Sequence, residues 1–279
     1  MNQPFPPGLY IVATPIGNLG DISARAAETL CGVALILAED KRVSAKLLAH
    51  VGAKAPMIAY HDHSDETVRG RIVADCAARA VALISDAGPP LISDPGYKLV
   101  RAVRAAGVAV HTLPGPCAAV AALTLAGLPT DRFLFVGFLP SKAKARSEAI
   151  AEVAGVRASL VLYESGPRLG EALAALAEGL PGRDAAVVRE ISKLHEQCVT
   201  GTLAELAARY ADAPPRGEIV IVVGPPPDKV AADAGQIDVA LVEALARLSP
   251  SRAAAEVAAA LGVARKQVYA RALALGAGD

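Results

Sequence analysis

Short, continuous apolar runs alternate with helix-period stretches along most of this chain, and that rhythm limits the fold more than any other feature. Residues 9–13, 33–37, 81–84 and 108–113 are strand-sized and rich in Val, Ile and Leu. Helix-period stretches around 22–31, 43–50, 66–79 and 97–106 lie between them. Strand, helix, strand in this order predicts a parallel sheet with right-handed crossovers. Such strands are buried on both faces and so need unbroken rather than alternating apolar residues. A first α/β domain is expected over residues 1–114.

The rhythm then resumes. Strands are expected at 133–138, 160–163, 185–189 and 219–223, with helices near 143–153, 169–178 and 203–210. Residues 197–200 form one more strand candidate with no room for a helix before it, which predicts an antiparallel hairpin and a mixed sheet. This second α/β domain spans 115–226, and Pro225-Pro226-Pro227 reads as a linker. Residues 227–279 carry three helical patterns, 237–248, 251–261 and 264–275. Ser249-Pro250 marks a helix start and Gly262 a break, giving a helix-turn-helix-like pair. An Ala-rich helical cap without a ligand is the competing reading of that segment.

The chain has 279 residues, 53 % apolar and 20 % charged, enough for a sizeable core and too hydrophobic for a disordered protein. Its 28 Lys and Arg balance 28 Asp and Glu, so overall charge gives no argument for a polyanionic partner. The distribution differs. Residues 247–271 hold five cations and one Glu, whereas residues 228–243 hold four acids and one Lys. Lys142, Lys144 and Arg146 form a second basic segment. No apolar run reaches the roughly 18 to 20 residues of a membrane span, and the first residues lack a secretory pattern. Cys31, Cys76, Cys117 and Cys198 are far apart and read as small buried hydrophobes in a reducing compartment. The expectation is a soluble, cytoplasmic protein.

Polar residues gather at strand ends, where α/β proteins place their sites. The first-strand loop, Thr14-Pro15-Ile16-Gly17-Asn18-Leu19-Gly20-Asp21, has glycines at the wrong spacing for a dinucleotide fingerprint. The second run ends in Glu39-Asp40-Lys41-Arg42. Residues 84–96, ISDAGPPLISDPG, combine two carboxylates, two glycines and three prolines, which makes a stiff loop with little entropy to lose on binding. Pro114-Gly115-Pro116-Cys117 opens a helix, with Pro116 suited to its first turn. In the second domain, Glu164-Ser165-Gly166-Pro167-Arg168 and Arg189-Glu190-Ile191-Ser192-Lys193-Leu194-His195-Glu196 follow strands. One cleft between two sheets is implied. His61 and His63 flank Asp62, but without further placed ligands this is a surface loop, and no metal is expected.

These motifs, LYIVATPIGNLGDI (9–22), ILAEDKR (36–42), ISDAGPPLISDPG (84–96), PGPCAA (114–119), FLFVGFLPSK (133–142), LVLYESGPRL (160–169), VREISKLHEQCVTGTL (188–203) and GEIVIVVG (217–224), follow one another in order. Together they resemble the ribosomal RNA small subunit methyltransferase I family, a branch of the tetrapyrrole methylases. The likeness runs from about residue 9 to 224, and the C-terminal helices are similar to that family's appended domain. It implies S-adenosylmethionine as methyl donor, the ribose 2′-oxygen of a cytidine in the decoding region of 16S rRNA as acceptor, and a homodimer. Carried over position by position, the donor pocket involves Ile16, Gly88, Pro89, Ile92, Cys117, Ala118, Tyr163, Glu164, Ile191 and Glu218. The sequence departs from the family at three motifs. Pro89 stands for the usual Thr of DAGTP, leaving shape and the Gly88 backbone to hold the donor. Lys41 replaces the Thr of AEDTR, and Ser165-Gly166-Pro167-Arg168 replaces SPHR.

Such a transfer requires a base within hydrogen-bond reach of the acceptor oxygen. Glu190, Lys193, His195, Asp86 and Asp40 are the candidates. Glu190 with Lys193 is preferred, and a lysine can serve only if its pKa is lowered. Lys41, Arg42, Lys142, Lys144, Arg146, Arg265, Lys266 and Arg271 are the expected RNA-facing cations. A tetrapyrrole-precursor C-methyltransferase and a nucleic-acid-binding regulator are the alternatives.

Overall fold

A computed structural model of the chain describes residues 5–61, 65–227 and 234–276. The chain divides into two compact units, Met1–Pro226 and Pro227–Asp279. In the first unit β1 (Gly8–Val12), β2 (Leu35–Ala38), β3 (Met57–Ala59), β4 (Ala80–Ile84) and β5 (Val110–Leu113) form a wholly parallel sheet in the order β3-β2-β4-β1-β5. Every residue of β2 and β4 is buried, as their unbroken apolar runs require. Strand β3 was not expected. It is a three-residue edge strand, Met57-Ile58-Ala59, whose apolar run is shorter than the strand-sized runs elsewhere in the chain.

Helices α1 (Ala24–Gly32), α2 (Lys41–Val51), α3 (Glu66–Ala78) and α4 (Tyr97–Ala105) make the crossovers. Ser23 Oγ caps α1 by accepting the Ala26 N–H at 3.1 Å, and Asp40 caps α2 by accepting the Arg42 N–H at 2.8 Å. Neighbouring strands β1 and β4 send the chain opposite ways, β1 toward β2 and β4 toward β5. Both strands end at the carboxyl edge, and such a reversal of chain direction is where open α/β sheets place their sites.

The second sheet contains β6 (Phe133–Phe138), β7 (Ser159–Ser165), β8 (Asp184–Arg189), β9 (Gln197–Thr202) and β10 (Glu218–Val223), in the order β6-β7-β10-β8-β9. Only β6 and β7 run parallel, and β8–β9 is the expected antiparallel pair. Helix α5 (Ala118–Ala126) covers one face, and α6 (Ala143–Val153), α7 (Leu169–Gly179) and α8 (Leu203–Tyr210) cover the other. Cys117 is the N-cap of α5, so Pro116 stands ahead of the helix rather than in its first turn.

Strand β6 carries an irregularity with consequences at the site. Phe135 is opposite Val161, but Gly137 is opposite Leu162, so Val136 is an extra residue in β6. Gly137 takes φ 75° at this bulge. In a regular strand residues three apart point to opposite faces. Here the bulge brings Phe135 and Phe138 to the same face, both against Tyr163, with ring centroids 4.9 and 5.6 Å away.

The second unit packs α9 (Ala234–Leu245), α10 (Pro250–Leu261) and α11 (Arg265–Gly276) around Ile237, Leu241, Val257 and Val268. Pro250 opens α10, and Gly262 closes it in the left-handed conformation, φ 65°. The charge segregation read along the chain is partly undone in space. Arg271 grips Asp238 with two hydrogen bonds of 2.5 Å, and Arg247 pairs with Glu256. Arg252, Arg265 and Lys266 keep cations free of carboxylate partners among the described residues. None of the helices described is long and apolar enough to cross a membrane.

Candidate active site

The crevice beside β1 and β4 is a cleft of about 430 Å³, whose walls come from both sheets of the first unit. Thr14 and Gly88 build its floor as an isolated two-residue bridge between the loops after β1 and β4. Gly88 has φ 82°, and a Cβ on it would meet Ile16 Cγ2 at 3.3 Å, so only glycine gives this wall its shape. Ile16, Gly88, Pro89, Ile92, Ala118, Tyr163, Glu164, Ile191 and Glu218 all border the cleft. Cys117 does not; it packs behind the wall with the core of the second sheet.

One expectation about Gly88 is overturned. Its N–H donates to the Thr14 carbonyl at 3.1 Å, and its carbonyl accepts from Thr14 N, Thr14 Oγ1 and Ser85 Oγ at 2.9, 3.3 and 3.0 Å. The Gly88 backbone is thus spent on the loop itself. Pro89 has no N–H to add, so neither residue offers a ligand a free backbone donor.

Next to the first-strand loop, where Lys193 packs against Gly17, the lining is ionic. Lys193 Nζ donates to Glu218 Oε2 at 2.6 Å and to Glu190 Oε1 at 2.9 Å. Glu190 also accepts the Glu218 N–H at 3.0 Å. Glu164 is buried, with Oε1 accepting from Ser165 N at 2.8 Å. Its Oε2 lies 3.3 Å from Arg168 Nη2 but takes no hydrogen bond there.

Comparison with known proteins matches this architecture. The tetrapyrrole (corrin/porphyrin) methylase family matches residues 8–207, and the RsmI C-terminal HTH domain matches residues 231–276. The chain is 55 % identical over 273 residues to the ribosomal RNA small subunit methyltransferase I of Erythrobacter litoralis, covering 98 % of this chain and 97 % of that one. The chain belongs to the ribosomal RNA small subunit methyltransferase I family. The enzyme of that name from Mesorhizobium japonicum is 45 % identical, with 98 % and 94 % covered. Among solved structures, diphthine synthase aligns with TM-score 0.61 at 15 % identity, covering 77 % of this chain and 89 % of that one. A uroporphyrin-III-C-methyltransferase from Thermus thermophilus aligns with TM-score 0.56 at 22 % identity, with 78 % and 94 % covered. These two share the fold.

Within this methyltransferase I fold, three carboxylates that lie apart in sequence converge on the cleft: Glu39, Asp86 and Asp94. Adjacent strands β2 and β4 bring them together. Burial, then the charges of Glu39 and Asp86, push Asp94 up to about 6 against a hydrogen bond from Ser85. Burial and Asp86 raise Glu39 as well. The sequence reading passed over Asp94 and Glu39 as candidates, although ISDPG and AEDKR were both in view.

Several expected roles fail on geometry. Burial works to lower the Lys193 pKa, but the Glu190 and Glu218 carboxylates outweigh it and the net shift is upward, the opposite of what a lysine base requires. The Lys193 hydrogen bond holds Glu190 low, and Glu190 does not border the cleft. Arg42 holds Asp40 at about 2, and neither Asp40 nor the exposed His195 borders the cleft. Arg146 is not an outward cation. Its side chain is 11 % exposed and pairs with Glu171 at 3.3 Å, which braces α6 against α7. Arg42 and Arg271 are exposed but tied to Asp40 and Asp238. Lys41, Lys142, Lys144, Arg265 and Lys266 are exposed.

Of the histidine pair, His63 and Asp62 lie outside the described residues. No group of metal-ligating side chains is found among the described residues. The cleft suits S-adenosylmethionine. The Gly88 hollow takes a flat or apolar group, Glu164 lines the cleft with its carboxylate paired to Arg168, and three further carboxylates face a cation.

Proposed function

We propose that this chain transfers the methyl group of S-adenosylmethionine to the ribose 2′-oxygen of a cytidine in the decoding region of 16S rRNA, acting in the cytoplasm as a homodimer. Full-length identity of 55 % to a ribosomal RNA small subunit methyltransferase I, helical domain included, carries the reading. The donor supplies a sulfonium-activated methyl group. The protein must hold it, align the acceptor oxygen in line and take the acceptor's proton.

Ile16, Gly88 and Pro89 shape the floor that receives the donor, and Glu164 borders it with its charge paired to Arg168. Asp94 is the base in this reading. It borders the cleft, and a pKa of about 6 leaves it ionised yet basic near neutral pH. Lys193 braces the ionic lining by joining Glu190 to Glu218. Lys142 and Lys144, just beyond β6, meet phosphates of the RNA, and Arg265 and Lys266 of the helical unit meet others.

Incubating methyl-labelled donor with 30S subunits, free 16S rRNA and a tetrapyrrole precursor tests the reading. Label in 30S or rRNA at a cytidine ribose is expected. Label in the tetrapyrrole would replace the reading with the C-methyltransferase, and label in none of the three would reject methyl transfer to all of them.

A further inference from the structure

Phe138 is a large apolar side chain left 55 % exposed, yet it borders the cleft. Its position is built rather than incidental. The bulge at Val136 and Gly137 turns it to the face where Phe135 already sits, and Tyr163 packs edge-on against both rings. Tyr163 is in turn half-buried beside α5. Gly137 also lies close to the opposing loop, where a Cβ would stand 3.5 Å from Ser93 Oγ, one residue before Asp94. The exposed ring therefore stands at the cleft mouth on the Asp94 side, fixed from behind. Exposed Lys142 and Lys144 follow within the next turn of chain.

We propose that Phe138 is the stacking platform for the target base, which leaves its neighbours so that its ribose can enter the cleft. This rests on the rRNA reading above. Swinging the nucleotide out of the strand brings its 2′-oxygen to the half-buried Asp94 carboxylate inside the cleft, and the unstacked base then needs a π-face. Phe138 supplies a ring that is 55 % exposed, and its T-shaped contact with Tyr163 resists rotation. The neighbouring lysines hold the flanking phosphates without reading sequence. A fully apolar core residue would need no exposed ring, and a donor-binding residue would need none at the mouth.

The test compares Phe138→Ala, Phe138→Leu and Phe138→Trp in the full chain. The measurements are methyl transfer to 30S subunits, S-adenosylhomocysteine binding by calorimetry, and sedimentation. Ala and Leu should each lower kcat/KM for 30S by about tenfold to a hundredfold. Donor-product affinity should stay within about twofold, and Trp should retain most activity. The salt dependence of 30S binding should keep its slope, since no phosphate contact is lost, whereas Lys142→Ala with Lys144→Ala should flatten it. Leu performing as well as Phe would overturn the proposal, since bulk alone would then suffice. A parallel loss of S-adenosylhomocysteine binding would assign the ring to the donor, and a change in sedimentation would assign it to a contact between copies. A wild-type chain that labels no rRNA would instead defeat the functional reading itself.

Discussion

Thr14 and Gly88 exchange both of their backbone hydrogen bonds, each N–H to the other's carbonyl, at 2.9 and 3.1 Å. This one bridge joins the loops after β1 and β4 beside the cleft. Gly88→Ala adds a Cβ against Ile16 at a left-handed φ. It should weaken S-adenosylhomocysteine binding by at least about tenfold and cost about 1 to 2 kcal/mol of stability. Calorimetric titration and thermal unfolding measure the two effects.

Asp94 should set the acid limb of the pH profile. Single-turnover methyl transfer should rise with pH through about 6 and level off above it, because only the ionised carboxylate accepts the proton. Asp94→Asn should lose transfer and the acid limb together. Stability should move the other way. A carboxyl whose folded pKa exceeds its unfolded one opposes folding above the folded pKa and not below the unfolded one. Replacement by Asn should therefore stabilise the protein at pH 7.5, by about 1 kcal/mol after allowing for solvent access, with little change near pH 3. Denaturant titrations at the two pH values check the sign.

Lys193→Met should weaken donor binding and lower stability, since it leaves Glu190 and Glu218 facing each other without the cation between them. The residual transfer should keep the wild-type acid limb. Loss of that limb in Lys193→Met, retained in Asp94→Asn, would return the base to the lysine. The Glu190 contribution to stability is present above its unfolded pKa and fades as pH falls through its lowered folded value. The variant should thus lose its stability deficit in acid.

Arg146→Ala should cost about 1 to 3 kcal/mol of stability and leave 30S affinity unchanged, because its guanidinium faces Glu171 and the Ser141 carbonyl rather than solvent. Lys142→Glu with Lys144→Glu should do the reverse. Equal stability of Arg146→Ala and wild type in urea would contradict the assignment.

A chain ending at Gly224 should bind S-adenosylhomocysteine as the full chain does, because every cleft residue lies in the first compact unit. It should bind 30S subunits more weakly and with a shallower salt dependence. Unchanged 30S affinity would remove Arg265 and Lys266 from the RNA contact.

What the sequence revealed and what it hid follow from how local each feature is. Unbroken runs such as 81–84 announce a strand buried on both faces, and Pro250 and Gly262 sit at the two ends of the helix they bound. The walls around Ile16, Gly88 and Tyr163 were legible because each belongs to a recognisable segment. Convergence was not. Glu39 meets Asp94 only because β2 lies beside β4, and Arg146 is a core brace only because Glu171 stands 25 residues onward. Lys193 reads as a base beside Glu190, and the second carboxylate that holds it, Glu218, is 25 residues away in sequence. Phe138 seemed one apolar residue in an apolar strand, since the shift that aims it depends on the partner β7.

Leu91, Ser93, Glu190 and Ser192 are the non-glycine residues with positive φ among those described, and all four fall in the two loops that border the cleft. Each left-handed residue with a Cβ costs about 1 kcal/mol relative to glycine. A search for heat-resistant variants should therefore be drawn to these positions. Gains harvested there relax the very loops that hold Lys193 and Asp94 in place, so thermal robustness and turnover would be selected against each other at these four sites.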